Sequence, residues 1–153
     1  MNYQAITTSP FAKLGIRCSE NELLGITFLP ANTALVPPAN ALAHETCLQL
    51  AGYLADSSYR FDLPLQLHGT DHQIKVWQAL GKLPSGRVQT YGELAKQLHS
   101  SPRAIGQACG NNPIPIVVPC HRIVGKRGLG GFMLGIDAFS LNTKHWLLHH
   151  EQC

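Results

Sequence analysis

Five cysteines are scattered through the chain (Cys18, Cys47, Cys109, Cys120 and Cys153), and one of them is followed at once by a histidine, in Cys120-His121. An odd, widely spaced set without a C-x-x-C pair is neither a disulfide framework nor a zinc-ribbon pattern. Reduced thiols in a cytoplasmic protein are therefore expected. A thiol beside an imidazole is then a candidate nucleophile, since the thiolate is the reactive form and an adjacent base can generate it.

The residues leading to Cys120 suit that role. Pro113, Pro115 and Pro119 fall within seven positions, which forbids a helix and favours a stiff, extended path. Ile116, Val117 and Val118 are apolar and β-branched, as in a buried strand-like segment. Cys120 is thus expected at the end of a rigid, buried track.

A helical region must precede that track. Thr70-x-x-Gln73 is a capping box opening a helix with Ile74, Trp77 and Leu80 on one side, ended by Pro84-Ser85-Gly86. Thr90-x-x-Glu93 is a second box, starting a short helix through Leu98. Ser101 caps a third helix with Pro102 at its first position and Gly110 at its carboxyl end. Two short helices joined by His99-Ser100 have the form of a helix-turn-helix. Gly106 inside the third helix costs about 1 kcal/mol against alanine, so something must approach it closely: a nucleic acid, or another helix of the same protein. Arg103 lies in the first turn, where the helix dipole disfavours a cation, and makes more sense reaching out to a partner.

The first 68 residues have a different character, and the first 30 look like β structure. Phe11–Cys18 and Leu23–Leu29 read as a hairpin around Ser19-Glu20-Asn21, and Val36-Pro37-Pro38 breaks what precedes it. Asn40 is placed to cap a helix bearing Ala43, Cys47, Leu50, Ala51 and Leu54, which could cover one sheet face. Alternation of Phe61, Leu63, Leu65 and Leu67 allows a further strand. At the other end, Lys126–Ser140 reads as a loop able to close over a site, and Leu141–Leu148 as a last helix ending near Glu151.

Composition excludes several classes. Of 153 residues 44% are hydrophobic and only 14% charged, which argues against disorder and coiled coil. No apolar run approaches a membrane span, and the first ten residues lack the pattern of a signal peptide. Residues 1–68 hold three Lys/Arg against five Asp/Glu, and residues 69–153 hold nine against four. Such asymmetry fits a polyanion met by one end, or ordinary surface charge.

The run Asn112-Pro113-x-Pro115-x-x-x-Pro119-Cys120-His121-Arg122 resembles the motif of the O6-alkylguanine-DNA alkyltransferases, or methylated-DNA–protein-cysteine methyltransferases. Gly86-x-Val88-x-Thr90-Tyr91, Arg103-Ala104-x-Gly106 and Trp146-Leu147-Leu148-x-His150-Glu151 extend the likeness over about residues 70 to 151, whereas residues 1–68 match loosely. The resemblance implies an α+β protein, with a small ribonuclease-H-like α/β domain at 1–68. A mainly helical, winged-helix-like domain with a helix-turn-helix would follow at 69–153. It implies direct DNA repair by irreversible, stoichiometric transfer of an alkyl group, typically methyl, from O6-alkylguanine (and O4-alkylthymine) to Cys120, without cofactor.

The same resemblance assigns the site. His121 takes the thiol proton through a water, Glu151 holds the imidazole, and Asn112 fixes the backbone beside Cys120. Arg103 fills the stack vacated by a flipped base, Tyr91 crowds the phosphate, and Ala104 and Gly106 give the helix a small face for the minor groove. Pro115 borders the alkyl pocket and the Ile123 backbone reads the guanine edge. The partner would be double-stranded DNA containing O6-alkylguanine, with no membrane and a monomeric chain.

Where the family has Y-x-G-G-L-x-x-K, this chain has the longer stretch 132–144, so the backbone donor to guanine O6 and the preferred alkyl size stay unassigned. Cys18, Cys47, His44 and His68 lack ligand spacing, and no metal is expected. Three other readings remain: a lesion-binding protein that transfers nothing, a Cys–His hydrolase, and a plain helix-turn-helix regulator.

Overall fold

The computed structural model describes residues 2–133 and 138–152. The chain is a mixed α/β protein that divides into two compact units, Met1–Leu67 and His68–Cys153.

In the first unit β1 (Ala5–Thr8), β2 (Lys13–Cys18) and β3 (Leu23–Leu29) form an antiparallel sheet in that order, with a bulge at Arg17/Cys18. The expected hairpin is β2–β3. The strand β1 lies ahead of that hairpin in a region already expected to be β structure, and three of its four residues (Ile6, Thr7, Thr8) are β-branched. It pairs with β2 across a turn in which Ser9 Oγ accepts from the Phe11 and Ala12 amides.

Helix α1 (Ala41–Ala55) covers the sheet, and Asn40 caps it by accepting from the Ala43 amide at 2.8 Å. Its buried stripe runs through Ala43, Thr46, Gln49, Leu50 and Tyr53. That is one position around from the expected Cys47, Ala51 and Leu54, because buried Gln49 serves the backbone rather than solvent. Its amide donates to Asp62 O and accepts from Asp62 N. The 61–67 alternation forms no strand. Only Leu65 bridges Leu23, since Pro64 has no amide to continue a ladder.

The second unit holds α2 (Asp71–Leu80), β4 (Gln89–Thr90), α3 (Tyr91–Gln97), α4 (Pro102–Gly110), β5 (Ile123–Val124) and α5 (Ala138–His150). Both capping boxes form, and Ser101 caps α4 with Pro102 in its first turn. Helix α2 stops at Leu80, with Gly81 as its cap, before reaching Pro84. Gly110 is the last residue of α4, and Asn111 takes the cap position. Trp77 Nε1 donates to Ala108 O at 2.8 Å, a buried bond that joins α2 to α4.

The parallel pair β4·β5 sets the start of α3 beside the segment that follows Cys120. Helix α5 begins at Ala138, so the last three residues of the expected loop 126–140 are helical, and residues 134–137 of it lie outside the described residues. No helix among the described residues is long and apolar enough to cross a membrane.

Candidate active site

The proline-rich track is a bracketed turn. Ile116, a β-branched residue, sits at φ +73°, where side chains other than glycine are strained. Asn112, 2% exposed, spans this turn: its Oδ1 accepts from the Ile114 amide at 3.0 Å and its Nδ2 donates to Val118 O at 2.8 Å. Val118 O also accepts the Cys120 amide at 2.8 Å across Pro119 (φ −82°, ψ 67°), the geometry of an inverse γ-turn. Asn112 therefore anchors the carbonyl that holds the Cys120 backbone.

Cys120 then opens a single 3₁₀ turn, Cys120–Arg122, whose three side chains are all buried. Its Sγ lies 3.9 Å from Met133 Sδ. Burial pushes the thiol up to about 11, opposed by the Asn112 hydrogen bond and the Lys144 charge. The resting sulfur is a neutral thiol.

His121 is fully buried, and its Nε2 lies 2.9 Å from Glu151 Oε2. A carboxylate can only accept, so Nε2 carries the hydrogen and Nδ1 presents its lone pair. Nδ1 has no partner among the described residues. Desolvation lowers the imidazole below its ordinary value and outweighs the opposing pull of Glu151, so the ring is neutral at pH 7. A neutral imidazole with a free, buried Nδ1 can receive a proton.

Two buried cations complete the surroundings. Arg122 donates through Nε to Glu151 Oε1 at 2.9 Å and through Nη2 to Oε2 at 2.8 Å, while Nη1 donates to Leu83 O. Lys144 Nζ donates to Ile123 O at 2.6 Å and Gly131 O at 2.8 Å, and lies 5.7 Å from the Tyr91 ring centroid. Burial lowers Lys144 to about 8, against the pull of the Cys120 and Cys109 thiols.

Beside the sulfur lies a cavity of about 450 Å³ lined by Tyr91, Pro102, Arg103, Gly106, Cys109, Gly110, Cys120, Gly131, Phe132 and Met133. Tyr91 Oη lies 3.4 Å from Gly131 O, and burial raises the phenol, which stays protonated. Gly130, at φ +72°, is required there, because a Cβ would come within 2.6 Å of the Tyr91 ring. Gly106 is not crowded by another helix. A Cβ would meet only the Tyr91 ring at 3.9 Å, so helix packing does not account for that glycine, which faces the cavity instead.

Of the residues expected at a site, Cys120, Tyr91, Arg103 and Gly106 therefore share one cavity, and His121, Glu151 and Asn112 stand with Cys120 in its buried support. Ala104 lies on α4 but does not line the cavity. Nor do Pro115 and Ile123: Pro115 is buried in the turn, bridged to Val118, and Ile123 is in β5 with its carbonyl already held by Lys144. Phe132, Met133 and Cys109 form the wall in their place.

Sequence reasoning passed over Arg122 and Lys144. For Lys144 the spacing of Lys144, Leu147, Leu148 and Glu151 hinted at a shared apolar stripe, whereas nothing local to Arg122 marked it as buried. Residues 134–137, within the stretch where a donor to guanine O6 was sought, lie outside the described residues. Among the described residues no group of three or more His, Cys, Asp or Glu could hold a metal ion.

Comparison with known proteins agrees with this geometry. The model of the 6-O-methylguanine DNA methyltransferase DNA-binding domain matches residues 71–153. A methylated-DNA–protein-cysteine methyltransferase of Methanosarcina acetivorans is 36% identical over 143 residues, spanning 88% of this chain and 92% of its own. One from Mycobacterium bovis is 41% identical over 133 residues, spanning 85% and 77%. The crystal structure of Mycobacterium tuberculosis O6-methylguanine methyltransferase superposes with a TM-score of 0.82 at 33% identity, covering 96% of this chain and 90% of that one. A structure of Mycobacterium tuberculosis OGT in complex with DNA gives 0.80 at 34% identity, covering 96% and 91%. A buried cysteine backed by a His–Glu pair, on a chain alike over nearly its whole length, places this protein in the methylated-DNA–protein-cysteine methyltransferase family of direct DNA repair.

Proposed function

We propose that Cys120 accepts the alkyl group of O6-alkylguanine in double-stranded DNA, with O4-alkylthymine as a further substrate. The observation that carries this reading is the buried thiol on the cavity wall beside a neutral imidazole whose far nitrogen is held by a carboxylate. Ionising a thiol of pKa about 11 at pH 7 costs about 5 kcal/mol. A base that takes the proton during the reaction removes the need to hold that charge at rest. His121 Nδ1 fills this role through a water, and Glu151 stabilises the imidazolium that forms.

In the transfer step the Cys120 sulfur forms a bond to the alkyl carbon as the bond from that carbon to O6 breaks, and the departing purine regains at N1 the proton the thiol gave up. The thioether is stable, so each chain reacts once. Lys144, electrostatically coupled to Cys120, favours the sulfur anion as it develops.

O6 lies inside the duplex, so the nucleotide is extruded, at a cost of a few kcal/mol. Helices α3 and α4 act as the helix-turn-helix of a winged-helix-like unit, with α4 in the minor groove. Arg103, exposed at the start of α4, enters the vacated stack, and Tyr91 crowds the phosphate. The small face of Ala104 and Gly106 permits the close approach. Pro115 borders the alkyl pocket and the Ile123 backbone reads the guanine edge. The first unit is a ribonuclease-H-like support, and the protein works as a monomer.

Cys120→Ser tests the acceptor. It should bind duplex DNA carrying O6-methylguanine with wild-type affinity and leave the lesion unrepaired. Residual repair by that variant refutes the assignment.

A further inference from the structure

We propose that Arg122 is a positioning residue of the transfer reaction: its forked grip on Glu151, tied at its other end to the α2–β4 connection, fixes the carboxylate plane so that one oxygen stays aimed at His121 Nε2. This rests on the reading of Cys120 as acceptor.

The guanidinium uses three nitrogens on two segments. Nε and Nη2 take the two Glu151 oxygens at 2.9 and 2.8 Å, and Nη1 takes Leu83 O at 2.5 Å. Planar fork-to-carboxylate pairing fixes the plane of the carboxylate, which a glutamate alone leaves free, because its terminal torsion is broad. With that plane set, Oε2 receives both Arg122 Nη2 and His121 Nε2. The carbonyl at Leu83 keeps the fork from following the carboxylate. The same connection approaches Glu151 again at Gly86, where a Cβ would lie 3.5 Å from Glu151 O.

Arg122 also carries a charge to the place where one matters. Burial does most to keep His121 neutral against the pull of Glu151, and the Arg122 charge adds a smaller push in the same direction. The charged groups acting on His121 are Lys144 of α5, Glu151 just beyond it, and Arg122 from its own turn. Glu151 raises the basicity of the ring, whereas Arg122 and Lys144 lower it. The guanidinium thus sets the orientation of the carboxylate that holds the base, and adds to the neutrality that burial gives the ring.

The test measures single-turnover methyl transfer from O6-methylguanine duplex against pH for wild type, Arg122→Lys and Arg122→Gln. It adds nitrogen-15 NMR of histidine-labelled protein to read the His121 tautomer. Lysine keeps the charge and loses the fork, so transfer should slow about tenfold or more with the acid limb unmoved. Glutamine loses both, so transfer should slow further and the acid limb should move to higher pH. The fixed Nε2–H tautomer of wild type should give way to a mixture in both variants. Wild-type rates and profiles in both variants, or an unchanged tautomer in Arg122→Lys, overturn the proposal. Should Arg122→Gln fail to fold, Arg122→Lys decides by the same two readouts. The tautomer measurement needs no DNA, so it stands even if Cys120 proves not to be the acceptor.

Discussion

Raising the pH on the free protein should expose the resting state of Cys120. With a thiol at about 11, the thiolate at pH 7 is about one part in ten thousand, against a few per cent for an unperturbed cysteine near 8.5. Iodoacetamide reacts with the thiolate, so ionisation alone should make Cys120 about 300-fold less reactive at pH 7 than a free cysteine. Restricted access to a side chain 4% exposed lowers the absolute rate further but leaves its pH dependence intact. The rate at Cys120, followed by peptide mass spectrometry, should climb about tenfold per pH unit through pH 9 without levelling. Methyl transfer from DNA should behave differently. There the proton goes to His121, so the rate should be flat across neutral pH and fall on acidification as the imidazole protonates, below its ordinary value because burial disfavours the charge. A plateau in Cys120 alkylation at or below pH 7 would show a resting thiolate–imidazolium pair and refute the reasoning.

Other outcomes follow from single contacts. Asn112→Ala leaves the buried Ile114 amide without its acceptor and frees the strained turn at Ile116, so urea unfolding should show a loss of about 2 kcal/mol or more, together with slower transfer. Glu151→Gln strands the Arg122 charge and should destabilise the protein by about 3–5 kcal/mol in the same assay. Arg103→Ala, at an exposed position, should leave stability within about 0.5 kcal/mol of wild type. Its repair of duplex DNA should slow far more than its reaction with free O6-methylguanine base, and equal losses on both substrates would remove Arg103 from the stack-filling role.

What could be read from the chain depended on the range of the interaction. Caps at Asn40, Thr70, Thr90 and Ser101 involve residues three apart, and each forms as its spacing dictates. The prolines before Cys120 do exclude a helix, but the expected extended track is instead a turn closed by Val118 N–H on Ile114 O and spanned by Asn112. The misreadings arose where a distant partner decides. The run 61–67 alternates like a strand, yet Pro64 breaks the ladder and Gln49, on α1, takes Asp62. At the site, the Cys–His pair is adjacent in sequence, whereas Glu151 lies thirty positions away and entered only through family likeness. Arg122 and Lys144 received no role from the sequence, because burial of a cation depends on acceptors (Glu151, Leu83 O, Ile123 O, Gly131 O) supplied by other segments.

The central claim is that one sulfur takes one alkyl group and keeps it. Intact-mass and peptide analysis after incubation with excess O6-methylguanine duplex measures this directly. A single added methyl per chain, located on Cys120, with repair ceasing at one lesion per protein molecule, is the predicted result. Continued repair by protein of unchanged mass, or the methyl on any other residue, would contradict it.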